Sequence, residues 1–245
     1  MSSAPKLVDL TQDFDFKKKE SRKELTDKIA NYFARVSNND ELFKIGKKFM
    51  AEFKSGVKNF AITSTGYKNS QQRTILAVVC YFDYADQYRI AVISDQLRNG
   101  VFNELVKDST PKNYQLNHFG DHIDYHSFQH HVDFIDYAEL QRIYDEHMYS
   151  KTFDFEVKSI LDKYDIIFWD VPELEKMKMN LQFNYRLSHF YDSLTMIVSP
   201  TASSGKKVEK VKKFFNNFNI NLTGILLETS SAIEQPKRKK FLGVF

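Results

Sequence analysis

Tyr164-Asp165-Ile166-Ile167-Phe168-Trp169-Asp170-Val171-Pro172 is the stretch on which the fold turns. An unbroken apolar run closed by an acid predicts a strand buried on both faces that delivers a carboxylate to its C-terminal end. Downstream, 192–200 (Asp-Ser-Leu-Thr-Met-Ile-Val-Ser-Pro) and Leu222 to Leu227 read as further strands, with an amphipathic helix from Gly205 to Phe218 between them. Upstream, Ala138 to Met148 and Asp154 to Lys163 read as helices, and Tyr88 to Ser94 as a strand. Before these, Asn59 to Thr65 reads as a short buried strand ending in a polar loop, and Thr74 to Tyr81 as a helix buried on most of its circumference. Strand, loop, helix and strand make a βαβ unit, which implies parallel pairing and right-handed crossovers. The expected fold is therefore α/β, a doubly wound, mainly parallel central sheet flanked by helices.

The organisation that follows is a charged leader and helical extension over 1–55, an α/β domain over 56–229 and a basic tail over 230–245. In the extension, Leu25, Ile29, Phe33 and Val36 recur at helical spacing, and Asn38-Asn39-Asp40 supplies the start of a second helix. That second helix carries Leu42, Ile45, Phe49 and Phe53 on one face and is ended by Gly56. The tail Pro236-Lys237-Arg238-Lys239-Lys240 reads as a solvated terminus.

Composition narrows the function classes. The 245 residues are 42% hydrophobic and 15% aromatic, with 22 Phe and 13 Tyr, enough for a bulky core. A net charge of +3 from 35 basic and 32 acidic side chains argues against a nucleic-acid partner. The single cysteine, Cys80, lies in an apolar run and reads as a small core residue, which fits a reducing compartment. No run approaches the ~18 apolar residues of a membrane span, and the N-terminus lacks an apolar signal region. A cytoplasmic protein is expected, associated with a membrane only through a partner. In the middle of the chain, His118, His122, His126 and His130 recur every four residues, with His131 adjacent. Gly120, Asp121 and Asp124 interrupt any helix that would align them as ligands. The expectation there is an exposed histidine-rich loop leading into a strand near His131 to Ile135, and no metal.

The order of elements from 164 to 227 resembles the second half of the MinD/ParA-like P-loop ATPases, and most nearly the cytoplasmic domains of bacterial tyrosine kinases (polysaccharide co-polymerases). In that branch a YDxIIxDxPP strand is followed by a second apolar strand, a helix and a GxvLN strand, matched here by Tyr164 to Pro172, Asp192 to Val198, Lys206 to Phe215 and Gly224 to Leu227. In the first half, 60–66 (Phe-Ala-Ile-Thr-Ser-Thr-Gly) stands where the family has its phosphate loop, and Val92 to Asn99 where it has lIDxDLRRP. The likeness covers roughly two-thirds of the chain.

The family loop has the form G-K-G-G-x-G-K-S/T, whose glycines let backbone N–H groups wrap phosphates. The segment 67–74 (Tyr-Lys-Asn-Ser-Gln-Gln-Arg-Thr) aligns with it and contains no glycine. By resemblance Lys68 matches the early signature lysine, Arg73 replaces the phosphate lysine, Thr74 matches the magnesium-facing hydroxyl and Asp170 matches the acid ending the YDxIIxD strand. These four are the candidate residual nucleotide-site positions; no catalytic residue is assigned. Ser94 and Gln96 stand where the family has two acids, with Asp95 between them, so the usual magnesium partner and activating carboxylate are missing. Asp170 serves equally well as a metal partner or as a loop anchor. Tyr67, Arg73 and the Leu97-Arg98-Asn99 turn would line the former cleft. The family's C-terminal tyrosine run has no counterpart, Tyr191 being the last tyrosine, and its E-x-x-R-x-x-R oligomerisation motif is matched only as Glu41, Lys44 and Lys47, an ordinary spacing on a solvated helix.

The resemblance thus implies a non-catalytic scaffold or regulator of this ATPase fold, needing no cofactor. Its implied partner is an inner-membrane polysaccharide co-polymerase, with homo-oligomers allowed. Two other readings stand beside it: an active ATPase or kinase holding Mg-ATP through side chains, and a MinD/ParA-type positioning factor.

Overall fold

The computed structural model describes residues 40–66, 68–85, 88–118, 120–128, 131–147, 151–199 and 203–227. The helix expected over Leu25 to Val36, the cap at Asn38-Asn39, Tyr67, His130 and the basic tail lie outside the described residues. The elements in order are α1 (Asp40–Lys54), β1 (Asn59–Ser64), α2 (Lys68–Ala85), β2 (Ile90–Ser94), α3 (Phe102–Lys107), β3 (Thr110–Gln115), β4 (His122–Phe128) and β5 (Val132–Asp136). Then follow α4 (Tyr137–His147), α5 (Thr152–Leu161), β6 (Ile166–Asp170), α6 (Leu174–Met179), α7 (Leu181–Ser188), β7 (Ser193–Val198), α8 (Gly205–Asn216) and β8 (Leu222–Leu227).

The strands form one sheet in the order β3-β4-β5-β2-β6-β1-β7-β8. Pairing is parallel from β5 through β8, and antiparallel only where β3 and β4 are added at one edge. The expected α/β, mainly parallel sheet is what the chain forms. β6 sits at its centre with all five residues buried, because helices cover both faces. Its alternation splits the core: Ile167 and Trp169 enter a cluster with α4, α5, α7 and α8, while Ile166 and Phe168 enter another with α1, α2 and α3. In the second cluster Phe168 stacks on Phe60 at 5.5 Å and Phe49 lies 5.3 Å from Phe60. Gly56, at φ 106°, ends α1 as the sequence predicts.

Two expectations need correction. The histidine-rich segment is not a loop: β3 and β4 form an antiparallel hairpin, with Gln115 opposite His122 and Pro111 opposite His126. Along β4, Ile123 and Tyr125 turn inward while His122 and Asp124 face solvent, so His122 and His126 share one face of the strand. The second correction concerns α2, which begins at Lys68 and not at Thr74, and so consumes the segment expected to be a loop. With no glycine to hold a phosphate-wrapping turn, Lys68 to Thr74 take ordinary helical geometry, to which Gln, Lys and Arg are well suited.

Candidate functional site

The parallel strands converge on a crevice at the carboxyl ends of β1, β6 and β2, the place where this class of sheet binds ligands. Asp170 ends β6 there and is fully buried. Its Oδ1 pairs with Lys68 Nζ at 2.9 Å and accepts from Gln71 Nε2 at 2.7 Å. Its Oδ2 accepts from Ser94 Oγ at 2.6 Å, with Gln72 Nε2 at 3.5 Å. Burial pushes the Asp170 carboxyl up from its ordinary range, opposed by the Lys68 charge and the Ser94 hydrogen bond.

The same groups bind one another beyond Asp170. Lys68 also donates to the Val171 carbonyl at 3.0 Å and lies 3.5 Å from Asp95 Oδ1. Gln71 Nε2 reaches the carbonyls of Ile62 and Val171 at 2.7 and 2.9 Å. Asp95 receives Lys176 of α6 at 2.8 Å. Gln72 Oε1 accepts from the Val101 amide at 2.9 Å. Gly100, at φ 83°, lets the backbone come this close, since a Cβ there would stand 2.4 Å from Gln72 Oε1. The result is a network of two carboxylates and two ammonium groups, buried at Asp170 and Lys68 and half open at Lys176.

On the β7 side, Thr65 Oγ1 and Ser203 Oγ are 2.8 Å apart. Gly66 packs so tightly on Ser199 that a Cβ would come within 2.6 Å of the serine Cβ. Gly66 therefore serves a close approach of the segments that follow β1 and β7.

Of the four sequence-derived positions, the fold brings Lys68 and Asp170 together. Arg73 is exposed on the outer face of α2, and Thr74 donates its hydroxyl to the Ser70 carbonyl at 2.9 Å, a bond internal to the helix. Leu97 is buried, while Arg98 and Asn99 are exposed beyond β2. Gln71, Gln72 and Lys176 escaped the sequence reading. Gln71 had a signal, lying three residues beyond Lys68 on one helix face; Lys176 had none, since α6 meets Asp95 only through tertiary folding. Chemically, the arrangement is a saturated polar plug: every donor of Lys68 and Gln71 faces a protein acceptor.

No known sequence family matches the chain, and no curated protein matches it in sequence. Solved structures do. The chimerical protein CapA2B2 superposes with a TM-score of 0.50 at 14% identity, covering 85% of this chain and 86% of that one. The VpsO kinase domain has a TM-score of 0.49 at 14% identity, covering 82% and 97% respectively. The kinase domain of the Escherichia coli tyrosine kinase ETK has 0.49 at 13% identity, covering 76% and 74%. At such identities the likeness is one of architecture, resting on the CapA2B2 superposition and on the strand order. The chain thus shares the α/β fold of the chimerical protein CapA2B2, a mainly parallel sheet flanked by helices.

Proposed function

We propose that this protein is a non-catalytic member of that fold, a scaffold or regulator whose nucleotide position is occupied by its own side chains. The observation that carries the reading is the start of α2 at Lys68, which leaves no open phosphate loop and lets Lys68 and Gln71 saturate Asp170. Admitting a triphosphate would require breaking a buried ion pair and several hydrogen bonds together, a cost of several kcal/mol by the usual scale of such pairs. Arg73 and Thr74, directed elsewhere, do not compensate. By resemblance, the partner is an inner-membrane polysaccharide co-polymerase, engaged from the cytoplasmic side. Among the described residues no helix is long and apolar enough to cross a membrane, so attachment would run through that partner.

Isothermal titration with ATP and ADP, with and without Mg²⁺, tests the reading. No heat at millimolar nucleotide is expected. Saturable binding tighter than about 100 μM, roughly 5.5 kcal/mol, would overturn it; if Asp170→Ala abolished that binding, the active ATPase or kinase reading would take its place.

A further inference from the structure

β8 ends the sheet on its side: among the described residues no strand lies beyond it. Alternate residues of such a strand aim their N–H and C=O groups away from the sheet, and an edge left open in this way recruits another strand. The two edges of this sheet meet that hazard differently. β3, at the far edge, carries Pro111, which has no N–H to offer, and Lys112, and five of its six residues are exposed. β8 has neither a proline nor a charged residue, and its one irregularity, at Thr223, precedes a regular stretch from Gly224 to Leu227. Leu226 turns to the cluster under α1, so Ile225 and Leu227 project from the other face of the strand. Those two side chains keep 54% and 67% of their surface exposed.

The chain carries a segment that matches this edge. Residues 228–245 follow β8 directly and lie outside the described residues. Within them, 241–245 (Phe-Leu-Gly-Val-Phe) is uncharged and is preceded by 237–240 (Lys-Arg-Lys-Lys). Leu242 and Val244 are two residues apart, as Ile225 and Leu227 are. The thirteen residues 228–240 separate the two segments. Their extended reach of about 43 Å is ample to turn the chain back along β8, about 20 Å long. A tether of this kind holds the segment near the edge at an effective concentration of millimolar order, which a second copy of the chain at micromolar concentration does not match.

We propose that residues 241–245 add to the sheet as a further strand, antiparallel to β8, with Leu242 opposite Leu227 and Val244 opposite Ile225. Directly opposed aliphatic pairs then cover the two exposed side chains. The same register places Phe241 and Phe245 on the α1 face, on either side of Leu226, and the basic run before them charges the approach to the new edge. This proposal is independent of the nucleotide question, because β7 and β1 separate β8 from the strand that bears Asp170.

The test uses the full chain in two ways. The first is amide-resolved hydrogen exchange by NMR, with β6 as the internal reference. In the wild-type chain the outward amides of Gly224 to Leu227 are expected to exchange at least about tenfold more slowly than in the double variant Leu242→Asp/Val244→Asp, while β6 stays equally protected in both. The second is oxidation of the pair Ile225→Cys/Val244→Cys, Cys80 being buried. A disulfide within one chain is expected to form about tenfold faster than in Ile225→Cys/Gly243→Cys, whose one-residue slip turns the second thiol to the other face. Fast exchange of all β8 edge amides in the wild-type chain, or equal oxidation rates for the two pairs, overturns the proposal. Protection that appears only as protein concentration rises, with the disulfide joining two chains, overturns it in favour of a second copy on the edge.

Discussion

Asp170 keeps a carboxylate away from solvent by surrounding it with one ammonium, one hydroxyl and two primary amides. Its burial cost is tolerable only while Lys68 remains opposite. Lys68→Met is expected to lower stability by about 3 kcal/mol near neutral pH, read as a lower urea midpoint. The sign of the pH dependence follows from the raised Asp170 carboxyl. A group whose folded pKa is raised contributes stability at acid pH that is lost as pH rises through that value. Without Lys68 the carboxyl rises further, so the deficit of the variant should shrink as the buffer approaches about pH 4. A deficit equal at both pH values would mean that Asp170 is not held by Lys68. Lys176→Met provides the contrast: its ammonium is 46% exposed on Asp95, and the change should stay within about 1 kcal/mol.

Among the elements, the β3–β4 hairpin and the α1–α2 pair show how sequence choices become positions. The hairpin is anchored to the sheet by Asp133, which accepts from Tyr164 Oη at 2.9 Å and Tyr114 Oη at 3.2 Å, while Tyr114 stacks on Tyr125 at 4.1 Å. Glu156 of α5 holds its turn by accepting from the Asn117 and His118 amides at 3.1 and 2.6 Å. Burial, followed by the charge of Asp133, pushes the Tyr164 hydroxyl far above the ordinary phenol range. That stability is whole below the unfolded tyrosine pKa of about 10 and is lost as pH climbs towards the folded value. Tyr164→Phe should cost about 1–2 kcal/mol near neutrality and flatten the alkaline fall in thermal midpoint; an unchanged alkaline slope would show that Tyr164 does not drive it. On the other face, a Cβ at Gly46 of α1 would meet the Tyr81 ring of α2 at 2.4 Å from Cγ. Gly46→Ala gains up to ~1 kcal/mol of helix propensity but forces that ring aside, for a net loss of about 1–2 kcal/mol. A higher melting temperature for Gly46→Ala would mean that the two helices are not packed this closely.

For the molecule as a whole, the closed crevice predicts indifference to nucleotide. A ligand stabilises the folded state by its mass action, so millimolar Mg-ATP with Kd weaker than ~10 mM would add less than ~0.1 kcal/mol. The thermal midpoint should therefore stay unchanged with Mg-ATP, and a shift of several degrees would require an open site. The sheet was legible in the sequence because its strands are near-continuous apolar runs, such as Ile166 to Trp169 and Leu194 to Val198, which only a two-sided core accommodates. The hairpin was not, since its alternation is brief and Gly120, Asp121 and Asp124 read as loop residues. In the crevice, the absence of glycine from 67–74 and the presence of Ser94 and Gln96 after β2 were visible as residue types. Their consequence was not, because a segment without glycine can form a loop or a helix, and local propensity is a weak arbiter between them. By itself, then, the sequence determined the layered α/β class and the absence of glycine from 67–74, which follow from apolar pattern and residue type. Only the tertiary structure decided that Lys68, Gln71 and Ser94 close on Asp170, because those contacts join residues from 76 to 102 positions apart, brought together by burial and not by local preference.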